Sequence, residues 1–164
     1  VGGDTAALER ARPLLEAMGK RIVHTGDSGN GQAAKICNNM LLAISMIGAS
    51  EAFVLGEKLG LSRQKLFDVL SKSSGQCWSV NTYCPVSGPV PTSPANSSYK
   101  AGFTVQMMLK DLRLAQAAAG ESGVGTPLGA EAAALYAILA SLGNGHADFS
   151  SIVKLLRGDI QGSD

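Results

Sequence analysis

The stretch Gly31-Gln32-Ala33-Ala34-Lys35-Ile36-Cys37-Asn38-Asn39-Met40-Leu41-Leu42-Ala43-Ile44-Ser45-Met46-Ile47-Gly48-Ala49-Ser50-Glu51-Ala52-Phe53-Val54-Leu55-Gly56-Glu57-Lys58-Leu59-Gly60 decides the fold. It follows a flexible turn at Gly29 and Asn30, contains no proline, and is apolar on nearly every side through its middle. A helical pattern of this length and apolarity predicts a central helix packed on several sides at once. Its most apolar run, Met40 to Ala49, includes Ser45 and Gly48 and is far shorter than the ~20 residues needed to cross a bilayer. It reads as a core helix.

Helices are expected on both sides of it. Asp4 can cap a helix that passes through Leu8, Leu15 and Met18 and stops at Gly19, with Pro13 marking either a kink or a later start. Arg21 to Thr25 is a short β-branched run ending at Gly26, which suggests a strand able to pair with an edge outside this chain. After the long helix, Ser62 caps a short helix ending near Ser71, and Ser73 to Lys100 is rich in proline, serine and asparagine and reads mostly as loop. Thr104 to Ala119 is helical again, Thr126-Pro127 starts another helix that stops at Gly143, and Asp148 caps a last one to about Arg157. The sum is five to six helices with no internal repeat, an all-α helical bundle around the long helix.

Composition narrows the function classes. The 164 residues suit one domain with a real core, and 14 basic against 13 acidic residues give a net charge of +1 with no charged runs. Nucleic acid and membrane surfaces are therefore poor partners. Charged residues are only 16% of the chain, against about 25% in typical soluble domains, so part of the surface is expected to meet another domain or subunit. Cys37, Cys77 and Cys84 do not form a zinc pattern, and His24 and His146 are far apart, so neither a metal site nor a disulfide framework is expected.

Two stretches can carry chemistry. The first is the start of the long helix, whose N-terminal N–H groups can face an anion. Lys35 and Asn39 lie one turn apart on a stripe that continues through Leu42, Met46, Ala49 and Phe53. On spacing alone Lys35 is as readily a lysine reaching out to solvent at a helix end. A desolvated lysine, however, has a lowered pKa and can exchange a proton with a hydroxyl, while a neighbouring amide orients the substrate. The Gly29-x-Gly31 pair lacks the third glycine and the βαβ setting of a dinucleotide loop.

The second stretch is Phe103 to Ala115. On a helical wheel Asp111 falls among Met107, Met108, Ala115 and Ala118 and needs a partner, which a structural anchor of backbone N–H groups or a cation would supply. Lys110 stands at the boundary beside Gln106 and Arg113 and is the better site candidate. Trp78, the single tryptophan, follows a helix and either packs in the core or lines a small-acid pocket.

The pattern Gly29-x-Gly31-x-x-x-Lys35-x-x-Asn38-Asn39, followed ~70 residues later by Phe103 and Lys110-Asp111-Leu112-x-Leu114-Ala115, resembles the β-hydroxyacid dehydrogenase family. Gln32 to Gly48, Ser73-Ser74-Gly75-x-Cys77-Trp78 and Asp148-Phe149-Ser150-Ser151 resemble its 3-hydroxyisobutyrate branch. The resemblance implies the C-terminal helical domain of such an enzyme, like that of 6-phosphogluconate dehydrogenase. Residues 1–25 would be the end of a Rossmann domain and the junction, and residues 26–164 the helical substrate, catalytic and oligomerisation domain.

It further implies that Lys35 is the catalytic lysine, that Asn39, Gly31 and Trp78 meet a small hydroxyacid, that Lys110 lies at the nicotinamide end of NAD or NADP, and that Asp111 is structural. The partner would be the N-terminal Rossmann domain, with a homo-oligomer built through the helices. The setting would be valine breakdown in the mitochondrial matrix of a eukaryote, or the cytoplasm otherwise. Pro85-Val86-Ser87-Gly88 mimics a substrate-binding phrase of the family but sits in the proline-rich loop and is set aside. A glyoxylate or succinic semialdehyde reductase of the same family, or a non-catalytic dimerisation module, stays open at this point.

Overall fold

The computed structural model describes residues 1–160; the last four residues of the expected helical domain, 161–164, lie outside the described residues. Seven α-helices follow one another among them: α1 Thr5–Met18, α2 Asn30–Lys58, α3 Arg63–Leu70, α4 Trp78–Asn81, α5 Val105–Glu121, α6 Pro127–Leu139 and α7 Ile152–Arg157. The chain divides into two compact units, Val1–Asn38 and the part from Asn39 onward, so the division falls inside α2 and not in the loop before it.

In the first unit Asp4 caps α1 by accepting from the Ala7 N–H at 2.9 Å, and Pro13 sits inside the helix without ending it. The strand expected at Arg21 to Thr25 does not form. That segment is extended but irregular, and it pairs with the start of this same chain. Val1 N donates to Val23 O at 2.8 Å, Thr25 N to Val1 O at 2.9 Å and Gly3 N to Gly26 O at 2.8 Å. Three such bonds satisfy the backbone locally but fall short of a ladder.

The second unit is built on α2. Its 29 residues are long and apolar enough to cross a membrane by length and composition, more than Met40 to Ala49 alone suggested. The residues of the expected stripe from Met46 onward, together with Ala43 and Ile47, are buried in the protein core instead. α5 and α6 pack on each other, and Val105, Met108, Leu112, Ala132, Tyr136 and Leu139 close with Met46 into one cluster. A second cluster joins Phe53 to Val153 and to Cys84, Val86 and Val90 of the proline-rich segment. That segment is therefore a packed loop, and it holds the short helix α4, which composition did not reveal.

The caps expected for the later helices are present. Ser62 accepts from Lys65 N at 3.3 Å and Thr104 from Met107 N at 3.1 Å, Pro127 opens α6, and Gly143 takes a positive φ of 83° where the chain leaves it. Glu57 of α2 binds Arg63 at 2.6 Å and Arg157 at 3.0 Å, which ties the far end of α2 to the start of α3 and the end of α7.

Leu112 is fully buried at the centre of the main cluster. Leu112→Ala is expected to lower unfolding stability by about 2–5 kcal/mol in denaturant titration. Burial pushes the Cys84 thiol up to about 11, whereas Cys37 is exposed. A thiol reagent at pH 8 is thus expected to label Cys37 in the native protein and Cys84 only after denaturant is added; mass spectrometry of the labelled peptides checks this.

Candidate functional site

In the first unit, the start of α2 is held by its own chain. Asn30 Nδ2 donates to Thr25 O at 2.9 Å, and the backbone of Val1 and Gly2 lies against Gly31. A Cβ at position 31 would come within 2.9 Å of Gly2 N. The close approach that glycine allows at Gly31 is therefore that of a neighbouring backbone, where the sequence reading placed a substrate. Lys35, Gly31, Gly29, Gln32, Val1 and Gly2 line a shallow cleft of about 330 Å³. Lys35 is exposed there, so the desolvation expected of it is not supplied by these residues.

In the second unit, α2 and α5 meet at a buried carboxylate. Asp111 is 1% exposed, and its Oδ2 accepts from Asn39 Nδ2 at 2.6 Å. Its Oδ1 lies 3.0 Å from Lys110 Nζ, whose side chain is 59% exposed. Asp111 finds the partner its apolar position demanded: the cation expected is Lys110, and a side-chain amide joins it. Met107 is exposed, so the apolar face of α5 is formed by Met108, Leu112 and Ala115. The hydrogen bond also fixes Asn39 by presenting its NH₂ to Asp111, which sets which way the amide faces.

Beside this pair Lys110, Gln106 and Arg113 rim a cleft of about 520 Å³ with Leu109, Leu114 and Ala140 on its walls. Two cations beside an apolar wall can take an anionic ligand that has an apolar part.

Trp78 opens α4 and is 48% exposed. It does not pack as a core residue; its ring stacks on Tyr83 with centroids 4.7 Å apart. Tyr83 in turn stacks on Phe149 at 5.4 Å, and Phe103 meets Phe149 edge-on at 5.8 Å. Tyr83 Oη donates to Asp148 Oδ2 at 2.9 Å, and burial followed by this bond holds its phenol well above the ordinary range. Sequence reasoning missed Tyr83, which is 65 positions from Asp148. It found Asp148 only as a cap.

The structure thus brings Asn39 and Lys110 together through Asp111, puts Gly31 and Lys35 on one cleft, and seats Trp78 on an aromatic stack. Among the described residues, no three His, Cys, Asp or Glu side chains gather as a metal-binding group.

An all-helical domain organised by one long helix, with a lysine near that helix's start and, one turn on, an asparagine bonded to a buried aspartate, defines the class. Residues 29–156 match the family described as the NAD-binding domain of NADP-dependent 3-hydroxyisobutyrate dehydrogenase, and the chain belongs to that family. It is 54% identical over 157 residues, 96% of its length, to a probable 3-hydroxyisobutyrate dehydrogenase of Mycobacterium tuberculosis. It is 48% identical over 155 residues, 94% of its length, to an NAD-dependent L-serine dehydrogenase of Pseudomonas aeruginosa. It covers 53% and 52% of those two proteins, so the chain spans about half the length of the curated relatives it matches. A solved structure of the Mycobacterium tuberculosis 3-hydroxyisobutyrate dehydrogenase with L-serine superposes with a TM-score of 0.91 at 54% identity, over 95% of this chain and 53% of that one.

Replacing Asn39 by leucine removes the donor from a buried carboxylate, and Asn39→Leu is expected to cost about 1–3 kcal/mol in unfolding stability. Unchanged stability in a denaturant titration would show that the 2.6 Å bond contributes nothing to the fold.

Proposed function

We propose that this chain is the substrate and catalytic part of an NAD-dependent β-hydroxyacid dehydrogenase that oxidises 3-hydroxyisobutyrate, working with a dinucleotide-binding domain. The observation that carries the reading is the Asn39–Asp111 pair on the helix that also bears Lys35, because α2 runs unbroken from Asn30 to Lys58 and presents the lysine one turn before the amide.

The residues have distinct tasks in this reading. Lys35, as the neutral amine, takes the proton from the substrate hydroxyl in oxidation and, as the ammonium so formed, returns it in the reverse direction. Asn39, held by Asp111, orients the substrate through its amide. Lys110 and Arg113 would hold the anionic cofactor at the cleft on α5, whose charge and shape fit it. NAD, when bound, supplies the hydride acceptor. Trp78 offers an exposed ring to the carbon side of the substrate.

A second reading is favoured by the relatives' names. The Pseudomonas aeruginosa protein is an L-serine dehydrogenase, and the Mycobacterium tuberculosis structure contains L-serine. L-serine differs from 3-hydroxyisobutyrate only in carrying an ammonium group where the latter has a methyl, so it is the alternative substrate to test.

Full-length protein assayed with NAD against 3-hydroxyisobutyrate and L-serine, and with the reduced cofactor against glyoxylate and succinic semialdehyde, separates these cases. Lys35→Ala is expected to lower kcat about 10²–10⁴-fold with a much smaller change in KM. Lys35→Arg, which keeps the charge but does not release a proton near neutral pH, is expected to be similarly impaired. Near-normal turnover by Lys35→Ala would remove the acid–base role.

A further inference from the structure

α5 begins against the segment that follows α6. Val105 N donates to Ala147 O at 2.9 Å, Gln106 N to Gly145 O at 3.1 Å and Met107 N to Thr104 Oγ1 at 3.1 Å. The first N–H groups of this helix are thus taken up within the fold, and a ligand in the cleft beside α5 must be held by side chains. The polar ones form a single stripe. Gln106, Lys110 and Arg113 follow one another at i, i+4 and i+7, so that Lys110 stands about 6 Å and Arg113 about 10 Å beyond Gln106 along the helix axis. The stripe runs from a neutral amide through an ammonium to a guanidinium.

Gln106 is held in this stripe by a glycine. Gly145 is buried and has φ −57° and ψ −29°, a conformation open to any residue, so its backbone does not call for glycine. What it supplies is room. A Cβ at position 145 would lie 2.9 Å from Cγ, 3.1 Å from Cδ and 2.8 Å from Nε2 of Gln106. Any side chain at 145 would therefore displace Gln106. The contact is made just after the wider, π-type turn Ala140–Asn144 that ends α6 and gives the cleft its Ala140 wall, a kind of turn often found beside functional sites.

We propose that Gln106 is a cofactor-binding residue that recognises the carboxamide of the nicotinamide ring, and that Gly145 is a positioning residue that acts through it. The inference rests on the function proposed above, in which this cleft takes the dinucleotide. Lys110 shares Asp111 with Asn39, the residue placed at the substrate, so the half of the dinucleotide at this stripe is the one whose ring accepts hydride. Charge then orders the rest. The guanidinium of Arg113 suits the pyrophosphate, and the neutral amide of Gln106 suits the neutral carboxamide, each donating an N–H to the carbonyl of the other.

The test is calorimetric titration of the full-length protein, without hydroxyacid, with NAD and with its 3-acetylpyridine analogue, which keeps the ring carbonyl and lacks the amide N–H. Gln106→Leu removes both bonds to NAD and one to the analogue, and is expected to raise the Kd about tenfold for NAD and about threefold for the analogue. Gly145→Ala is expected to raise it about threefold for NAD and less than about twofold for the analogue. Because Gln106 is exposed, its replacement does not open the core. An unchanged Kd for NAD in Gln106→Leu, or the same factor lost for both dinucleotides, overturns the inference and leaves the dehydrogenase reading standing. Full NAD affinity in Gly145→Ala overturns the positioning role. A parent protein that binds neither dinucleotide overturns the dehydrogenase reading and this assignment together.

Discussion

The burial of α2 is the constraint on which the second unit depends. One face of α2 is covered by α5, α6 and the proline-rich segment, each of which offsets its own ordering by burying side chains against it, while Leu41 and Leu55 on other faces stay exposed. The main cluster around Met46 and the second one around Phe53 lie along successive turns of this helix. Along the face of α2 that meets α5, burial deepens from its start. Lys35, near the start, is exposed, Asn39 half-buried, and Ala43 and Met46 fully buried. The residues given chemical roles in the proposed function lie in the first turns, where the helix is still exposed.

A buried acid on α5 is tolerable only because α2 presents an amide to it. An isolated carboxylate at 1% exposure would cost several kcal/mol or take up a proton. Asn39 supplies a 2.6 Å bond, and Lys110, from the adjacent position on α5, a cation at 3.0 Å. Asp148 solves the same problem differently, collecting backbone and hydroxyl donors from two loops. The first acid is tied to a residue placed at the substrate in the proposed function, and the second to the loops that carry Trp78 and Phe103. In both, the fold spends a buried charge to fix the orientation of something nearer the surface.

Helix starts and stops were legible in the sequence because their signals are local. Asp4, Ser62, Thr104, Pro127 and Gly143 each act within one turn. The stripe from Asn39 to Phe53 was legible for the same reason, since the helical repeat alone puts those residues on one side. What was hidden depends on distant pairing. The run at Arg21 to Thr25 has strand composition, yet it pairs irregularly with Val1–Gly3 and leaves no ladder. Glycine at position 31 was read as room for a substrate, because a sequence shows that space is needed but not what fills it. Tyr83 was invisible because nothing within several residues of it hints at Asp148, and a proline-rich composition concealed that Cys84, Val86 and Val90 are core residues.

The choice of substrate is hard to read for a reason of the same kind. 3-Hydroxyisobutyrate and L-serine share a primary hydroxyl and a carboxylate, and these are the groups a lysine, an amide and a helix N-terminus can recognise. The motifs that define the family therefore serve both molecules equally. Discrimination between a methyl and an ammonium group must come from what faces C2. An apolar wall that leaves an ammonium without a partner rejects it by the cost of desolvation, whereas a wall with a carboxylate accepts it.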